Sequence, residues 1–242
     1  GREGTSPFAP EAEEADETMT IRERLDQVRE EIAAACAEAG RSPDEVVLVA
    51  VTKTHPPERI REAHAAGVCA VGENRAQELL AKRPLLADLD LEWHMIGHLQ
   101  TNKAKAVAPQ TALLHSVDRV DLIRAIEKLA LPHRLDVLLQ VNTTGEATKS
   151  GVEPAELPAL ADAARRSPAL RLRGLMTIGP LGGTELENRR AFAALRAHRD
   201  QLAAAHRDLE LTVLSMGMSG DFREAILEGS TLVRIGSRIF GE

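Results

Sequence analysis

The sequence predicts an α/β fold, a single (β/α)8 TIM barrel that follows one extra N-terminal helix. Three observations predict it. Eight short apolar runs are present, a helical pattern separates each run from the next, and the chain has 242 residues, 43% of them hydrophobic. This length is usual for one such barrel, and this composition can bury one large core. Apolar strands that alternate with helices are typical of a parallel sheet buried on both faces.

Residues 1–18 are predicted to be a disordered acidic tail, which leaves residues 19–242 as the barrel domain. The tail lacks apolar periodicity, and its one basic residue stands against six acidic ones, so it carries −5 of the net charge of −7. Apolar residues then recur at three- and four-residue steps from Ile21 to Ile32, and Gly40 followed by Pro43 stops the pattern. This spacing predicts the extra amphipathic helix.

Strand and helix units repeat along the rest of the chain. The predicted strands are Val46–Val51, Ala70–Gly72, Leu91–Ile96, Leu113–Val117, Leu135–Val141, Leu172–Ile178, Leu211–Leu214 and Leu232–Ile235. Helices are predicted to begin near Pro57, Asn74, Thr101, Arg119, Pro154, Thr184 and Ser219. An open doubly wound sheet has the same alternation, but it should carry G-x-G-x-x-G after its first strand. Thr52-Lys53-Thr54-His55-Pro56 stands there instead, so the barrel is favoured.

Composition disfavours several classes of function. No run approaches the roughly 20 apolar residues of a membrane span, and no secretory leader pattern is found, so we expect a cytoplasmic protein. The lack of a basic face and an aromatic content of 2% argue against nucleic-acid binding. Cys36 and Cys69 are predicted to be small buried residues without a disulfide. His94 and His98 lack a third ligand nearby, so we expect structural or ligand-shaping roles and no metal.

Candidate functional residues follow the strands, because the active sites of such barrels lie at the C-terminal ends of the strands. Lys53 comes directly after an apolar strand. We therefore expect its ammonium at or inside the barrel mouth, where desolvation favours the neutral amine and a Schiff base with an aldehyde. The alternative is a lysine that extends from the rim into solvent.

The last two strands end in loops of small residues that suit an anion. These loops are Ser215-Met216-Gly217-Met218-Ser219 and Gly236-Ser237, whose backbone N–H groups can approach a ligand closely, and Ser219 is expected to cap the next helix. Phosphate sites in barrels often lie after strands seven and eight. Arg234 shares a strand face with Gly236, and it either donates to a ring nitrogen of the ligand or forms a salt bridge with Glu73 or Asp118.

Many motifs along the chain resemble one known family, the YggS/PROSC-type pyridoxal phosphate homeostasis proteins. The resemblance covers residues 21–241. The segments that carry it are 51–56 (VTKTHP), 72–75 (GENR), 93–103 (WHMIGHLQTNK), 115–118 (HSVD), 141–142 (VN), 149–151 (KSG), 174–176 (GLM), 214–219 (LSMGMS) and 233–237 (VRIGS).

The resemblance implies a barrel akin to the N-terminal domain of alanine racemase, with pyridoxal 5′-phosphate (PLP) as cofactor. Lys53 would carry the PLP Schiff base and Arg234 would face the pyridine nitrogen. The phosphate would be held by Ser215, Gly217, Gly236 and Ser237. Asn74, Met176 and Met216 would be the other cofactor-binding residues.

The same resemblance implies PLP homeostasis, that is storage, delivery or scavenging of the cofactor, with effects on amino-acid and keto-acid balance. We expect a monomer without strong turnover, with PLP and PLP-dependent apo-enzymes as its partners. An arginine at the ring nitrogen weakens PLP as an electron sink, and the chain has no tyrosine to act as a racemase base. The alternatives are a weak amino-acid racemase or transaminase, and a class I aldolase-like barrel in which Lys53 attacks a sugar-phosphate carbonyl.

Overall fold

Each of the eight apolar runs forms a parallel strand, and the barrel closes where the last strand pairs with the first. The structure is a computed structural model that describes residues 19–147 and 150–241. The strands are β1 (Val47–Val51), β2 (Ala70–Glu73), β3 (Glu92–Met95), β4 (Leu113–Val117), β5 (Leu135–Gln140), β6 (Leu170–Met176), β7 (Val213–Ser215) and β8 (Leu232–Ile235). The closed parallel barrel confirms the predicted fold class. The predicted disordered tail at residues 1–18 lies outside the described residues, as do residues 148, 149 and 242.

Helices surround the barrel and connect its strands. They are α1 (Ile21–Glu38), α2 (Pro57–Ala65), α3 (Ala76–Lys82), α4 (Ala104–Val107), α5 (Val120–Glu127), α6 (Leu157–Arg166), α7 (Glu185–Ala205), α8 (Phe222–Leu227) and α9 (Ser237–Phe240). The predicted extra helix is α1, which packs against α8 and α9. Its first turn is fixed by a capping box, in which Thr20 and Glu23 bind each other's backbone N–H groups.

Side chains alternate between the outside and the inside of the barrel wall, as the period of two in a strand requires. Outward residues join the helices in the main core. A second cluster consists of Val49, Ala70, Leu113, Leu138, Met176 and Leu232. Because these come from six strands and from no helix, they fill the barrel interior. His115 comes two residues after Leu113 in β4, and Arg234 comes two residues after Leu232 in β8. The interior therefore becomes polar toward the C-terminal mouth.

The structure corrects three local predictions. The seventh strand begins and ends later than predicted, and the N-cap position of the next helix is Asp221, which forms no side-chain capping bond, rather than Ser219. A separate turn delays this helix, because the Asp221 carboxylate accepts a hydrogen bond from Met218 N at 2.6 Å. Cys36 is buried as expected, whereas Cys69, just before β2, is exposed. Within the described residues, no helix combines the length and the apolar character that crossing a membrane requires.

Candidate functional site

A buried guanidinium lies near the C-terminal ends of three neighbouring strands. Arg234 of β8 is 3% exposed. Its Nη1 donates to Ser215 Oγ at the end of β7 (2.6 Å), and its Nη2 donates to the Thr177 carbonyl just after β6 (3.0 Å). The alternative salt bridge to Glu73 or Asp118 is wrong. The Glu73 and Asp118 carboxylates pair with Lys82 and Arg119 respectively.

Arg234 begins a chain of hydrogen bonds across the barrel interior, called here the interior hydrogen-bond chain. Ser215 Oγ lies 2.9 Å from His115 Nδ1, and His115 Nε2 lies 2.9 Å from His94 Nδ1. Beyond these groups, His94 Nε2 lies 3.7 Å from a carboxylate oxygen of Glu92. All four members of the chain, Arg234, Ser215, His115 and His94, are buried.

The direction of the interior hydrogen-bond chain follows from its first member. A guanidinium only donates, so Ser215 Oγ accepts from Arg234 and can give its own hydrogen to His115 Nδ1. His115 then carries its hydrogen on Nε2 and donates to His94 Nδ1. His94 in turn presents an Nε2–H group to the Glu92 carboxylate. This tautomer assignment is inferred from the network, and it gives both ring nitrogens of a neutral His115 a hydrogen-bond partner.

The electrostatics of the chain agree with that direction. Burial lowers the pKa of His115 well below its usual 6.5, and the neighbouring His94 and Arg234 side chains act in the same sense. Burial lowers the pKa of Arg234 to about 10. At neutral pH the interior therefore holds a charged guanidinium next to a neutral imidazole.

Two rim loops, residues 216–219 and 236–237, form a small-residue cup beside Arg234. Gly217 has a φ of +99°, and a Cβ placed there would lie 2.7 Å from Ala225 Cβ. A Cβ on Gly236 would lie 3.1 Å from the Val51 carbonyl oxygen. Gly236 N donates to Ser219 Oγ at 3.3 Å. The cup therefore needs glycine at both positions, and the Gly236 N–H group and the Ser219 hydroxyl bond each other at the end of β8.

The other predicted residues divide between this region and its surroundings. Asn74 follows β2 and lines a cavity of about 440 Å³ at the barrel mouth, together with Arg75, Ile96, Gly97, His98, Gln140, Val141, Asn142, Ser150 and Ile178. Met176 belongs to the interior cluster. The side chain of Met216 instead lies in the core between sheet and helices, so only its backbone faces the rim. Ser237 is exposed and begins α9.

Lys53 lies in a turn directly after β1 and is exposed. The desolvated environment expected for its amine is therefore wrong for this structure. The reason is local: β1 ends at Val51, and the chain turns at Thr54, whose φ of 64° is in the left-handed region. Within residues 19–147 and 150–241, the Lys53 side chain forms no hydrogen bond or ion pair.

Comparisons with known proteins agree with this architecture. The family model for the N-terminal domain of alanine racemase matches residues 23–242. A protein from Aquifex aeolicus named pyridoxal phosphate homeostasis protein is 46% identical over 93% of this chain and 99% of its own length. A protein of the same name from Pseudomonas aeruginosa is 47% identical over 92% of this chain and 95% of its own length. This chain belongs to the pyridoxal phosphate homeostasis protein family.

The resemblance predicted from the motifs is thereby confirmed. Among solved structures, this family member is similar to PipY of Synechococcus elongatus with PLP bound. The two are 39% identical with a TM-score of 0.79, over 92% of this chain and 100% of that one.

Sequence reasoning missed several residues that this family member brings to the site. His115 lies inside an apolar strand run and gave no signal of its contact with Ser215, which is 100 residues away. Thr177 contributes a backbone carbonyl, which no sequence pattern marks. Ser219 was visible as a small polar residue in the rim loop. Its contact with Gly236 N differs from the capping role predicted for it.

Proposed function

We propose that this protein binds PLP at the C-terminal mouth of its barrel and acts in PLP homeostasis, without strong catalytic turnover. The observation that carries the proposal is the buried Arg234 guanidinium, which stands beside a glycine cup and on the strand next to the one that leads to Lys53. PLP has a phosphate, a ring nitrogen that accepts a hydrogen bond, and an aldehyde. The site offers one matching group for each.

The phosphate fits the cup formed by the two rim loops. Backbone N–H groups of Gly217, Gly236 and Ser237 and the hydroxyl of Ser219 are its donors in our proposal. Glycine at two of these positions lets the backbone approach an anion closely. The hydroxyl of Ser215 contacts Arg234 and His115, so we assign Ser215 to the ring side.

Arg234 is proposed to donate to the pyridine nitrogen. A guanidinium has five N–H groups, and two of the Arg234 groups donate to protein acceptors in this structure. We place Asn74 and Met176 around the ring and the backbone of Met216 near the phosphate. Lys53 supplies the amine that bonds to the aldehyde.

The chemistry that PLP supplies when bound is an aldehyde, which forms a Schiff base with a lysine amine and releases one water, and a ring that withdraws electrons. Arg234 stays charged at neutral pH because its pKa is about 10. It would therefore donate a hydrogen bond to the ring nitrogen of PLP and keep its own proton. His115 is neutral, and in the assigned tautomer its Nε2–H group points away from Arg234 and donates a hydrogen bond to His94. A ring without a proton on its nitrogen withdraws electrons weakly, which supports a carrier rather than a catalyst.

The family resemblance also supports a proposal about protein partners. The protein is proposed to act as a monomer in the cytoplasm and to give PLP to apo-enzymes that depend on it. The exposed position of Lys53 supports such an exchange, because solvent and an incoming amine can reach a linkage formed there.

The test is an absorbance spectrum of purified protein with added PLP, before and after borohydride, for the wild type, Lys53→Ala and the control Lys105→Ala. Lys105 is an exposed lysine of α4. We expect a visible absorbance band that borohydride removes in the wild type and the control, and no such band in Lys53→Ala. Peptide mapping of the reduced protein should place the added group on Lys53.

Other outcomes would select the alternatives. A protein that stays colourless with PLP, yet is trapped by borohydride with a sugar phosphate, would be an aldolase-like barrel. Steady isomerisation of an amino acid that is lost in Lys53→Ala would establish a racemase and contradict the carrier role.

A further inference from the structure

A buried ion cluster adjoins the turn that carries Lys53. Its centre is Lys82 at the end of α3, which is 8% exposed, and Glu73 at the end of β2 is fully buried. Lys82 Nζ donates to Glu73 Oε1 (2.8 Å), to Glu78 Oε2 (2.8 Å) and to the Thr52 carbonyl oxygen (2.6 Å). An ammonium has three N–H groups, so all three have an acceptor. Lys82, Glu73 and Glu78 are called the Lys82 cluster below.

The Lys82 cluster binds the chain on both sides of Lys53. On one side, the Thr52 carbonyl accepts from Lys82 and Thr52 Oγ1 donates to Glu73 Oε1 at 2.5 Å. On the other side, Thr54 N donates to Glu78 Oε2 at 2.8 Å. The backbone that carries Lys53 is therefore fixed at two points by one cluster.

The conformation of the turn requires such support. Thr54 has a φ of 64°, in the left-handed region that β-branched residues avoid. A residue in this region persists only when its surroundings hold it there. In this turn, the bond from Thr54 N to Glu78 is one such contact, and Lys82 holds the Glu78 carboxylate in place from a neighbouring turn of the same helix.

Lys53 and Lys82 differ in their availability. The ammonium of Lys82 is buried and has three acceptors, one of them Glu73. Breaking those contacts to free a neutral amine would leave buried acceptors unpaired, which is costly. Lys53, by contrast, is exposed.

We propose that Lys82 is a positioning residue: the Lys82 cluster fixes the turn on both sides of Lys53, so that Lys53 is the amine presented to the aldehyde of PLP. This inference rests on the proposed function and deepens it. A purely structural ion pair that docks α3 on the barrel would predict lower stability alone, with unchanged behaviour of Lys53.

The experiment uses Lys82→Met, the double variant Lys82→Met/Glu73→Gln, and Lys105→Met as the matched control. The double variant keeps the test decisive if the single variant fails to fold, because it leaves no uncompensated carboxylate at position 73. Burial raises the pKa of Glu73, which favours a neutral side chain at this position once Lys82 is gone.

Two quantities are measured. The first is amide hydrogen exchange of the peptide that contains Thr54, in protein without PLP. The second is the rate at which PLP and borohydride label Lys53, followed by peptide mapping. We expect exchange at Thr54 to be faster and labelling of Lys53 to be slower by about tenfold in both Lys82 variants, because a misplaced reacting group loses rate. Lys105→Met should match the wild type in both.

The outcomes separate this inference from the proposed function. If the Lys82 variants are less stable but PLP and borohydride label their Lys53 at the wild-type rate, the positioning role is wrong. This conclusion holds whether or not amide exchange at Thr54 changes. If the wild type itself is never labelled by PLP, the proposed function fails. In that case, unchanged amide exchange at Thr54 in the Lys82 variants would also refute the claim that the Lys82 cluster fixes the turn. Faster exchange in these variants would support that claim.

Discussion

The neutral, buried His115 should make the stability of the PLP-free protein depend on pH below neutrality. Burial, helped by the neighbouring His94 and Arg234 side chains, lowers the pKa of His115 well below 6.5. In the unfolded chain the same imidazole titrates near 6.5. As the pH falls through this value, the unfolded state takes up a proton that the folded state does not. The stability is therefore fully present above about pH 6.5 and is lost as the pH falls below it.

The magnitude follows from one proton. A difference of one bound proton changes the free energy of unfolding by about 1.4 kcal/mol per pH unit. Between roughly pH 7.5 and pH 5.5, an interval centred on the unfolded pKa, His115 alone should cost about 1.4 kcal/mol in total. Other titrating groups add their own dependence, which the comparison with a variant removes.

The assay is urea unfolding at the two pH values for the wild type, His115→Gln and the control His133→Gln. His133 is exposed. The wild type and the control should lose about 1.4 kcal/mol more on acidification than His115→Gln does. Nitrogen-15 NMR of the folded wild type should also place the His115 hydrogen on Nε2. Equal pH dependence in the wild type and His115→Gln would refute a neutral His115, and a hydrogen on Nδ1 would refute the direction assigned to the interior hydrogen-bond chain.

Three further predictions concern the cup and the guanidinium. Arg234→Lys should lower the free energy of unfolding by about 1–3 kcal/mol, because an ammonium cannot reproduce the fork that reaches two acceptors; unchanged urea unfolding would contradict this. Gly217→Ala should cost at least about 1 kcal/mol through its φ of +99° and its contact with Ala225, whereas Gly220→Ala, which meets nothing within 4 Å, should be nearly neutral. Ser219→Ala should weaken PLP binding about tenfold in a fluorescence titration, and unchanged affinity would remove Ser219 from the phosphate site.

The barrel was predictable because its signal is local and repeated. Each strand is a short apolar run, and each run is followed by a helix with its own start residue, so an error at one boundary leaves the order intact. The seventh strand shows the limit. Its predicted range, Leu211–Leu214, differs from the observed Val213–Ser215, because a strand three residues long is defined by its partners β6 and β8 more than by its own residues.

The site was predictable only in part, because its contacts are long-range. The rim loops and Lys53 could be chosen because strand ends in a barrel meet at one face. The partners of Arg234 could not be chosen from the sequence. Ser215 and Thr177 lie beside Arg234 only because of how the neighbouring strands are aligned. Sequence reasoning offered Glu73 instead. That carboxylate lies on the outer side of the wall, where Lys82 of the following helix binds it.

The seam between β1 and β8 has a consequence for how the protein is made. Lys53 directly follows the first strand and Arg234 lies on the last, and the two strands are neighbours only because the barrel closes. During synthesis, Lys53 therefore emerges from the ribosome long before Arg234 and Gly236. A nascent chain or a fragment that ends before β8 would carry Lys53 without Arg234 and Gly236, two of the residues that we propose hold PLP. In the proposed function, PLP is therefore captured only after β8 has paired with β1, so PLP binding would report on a closed barrel.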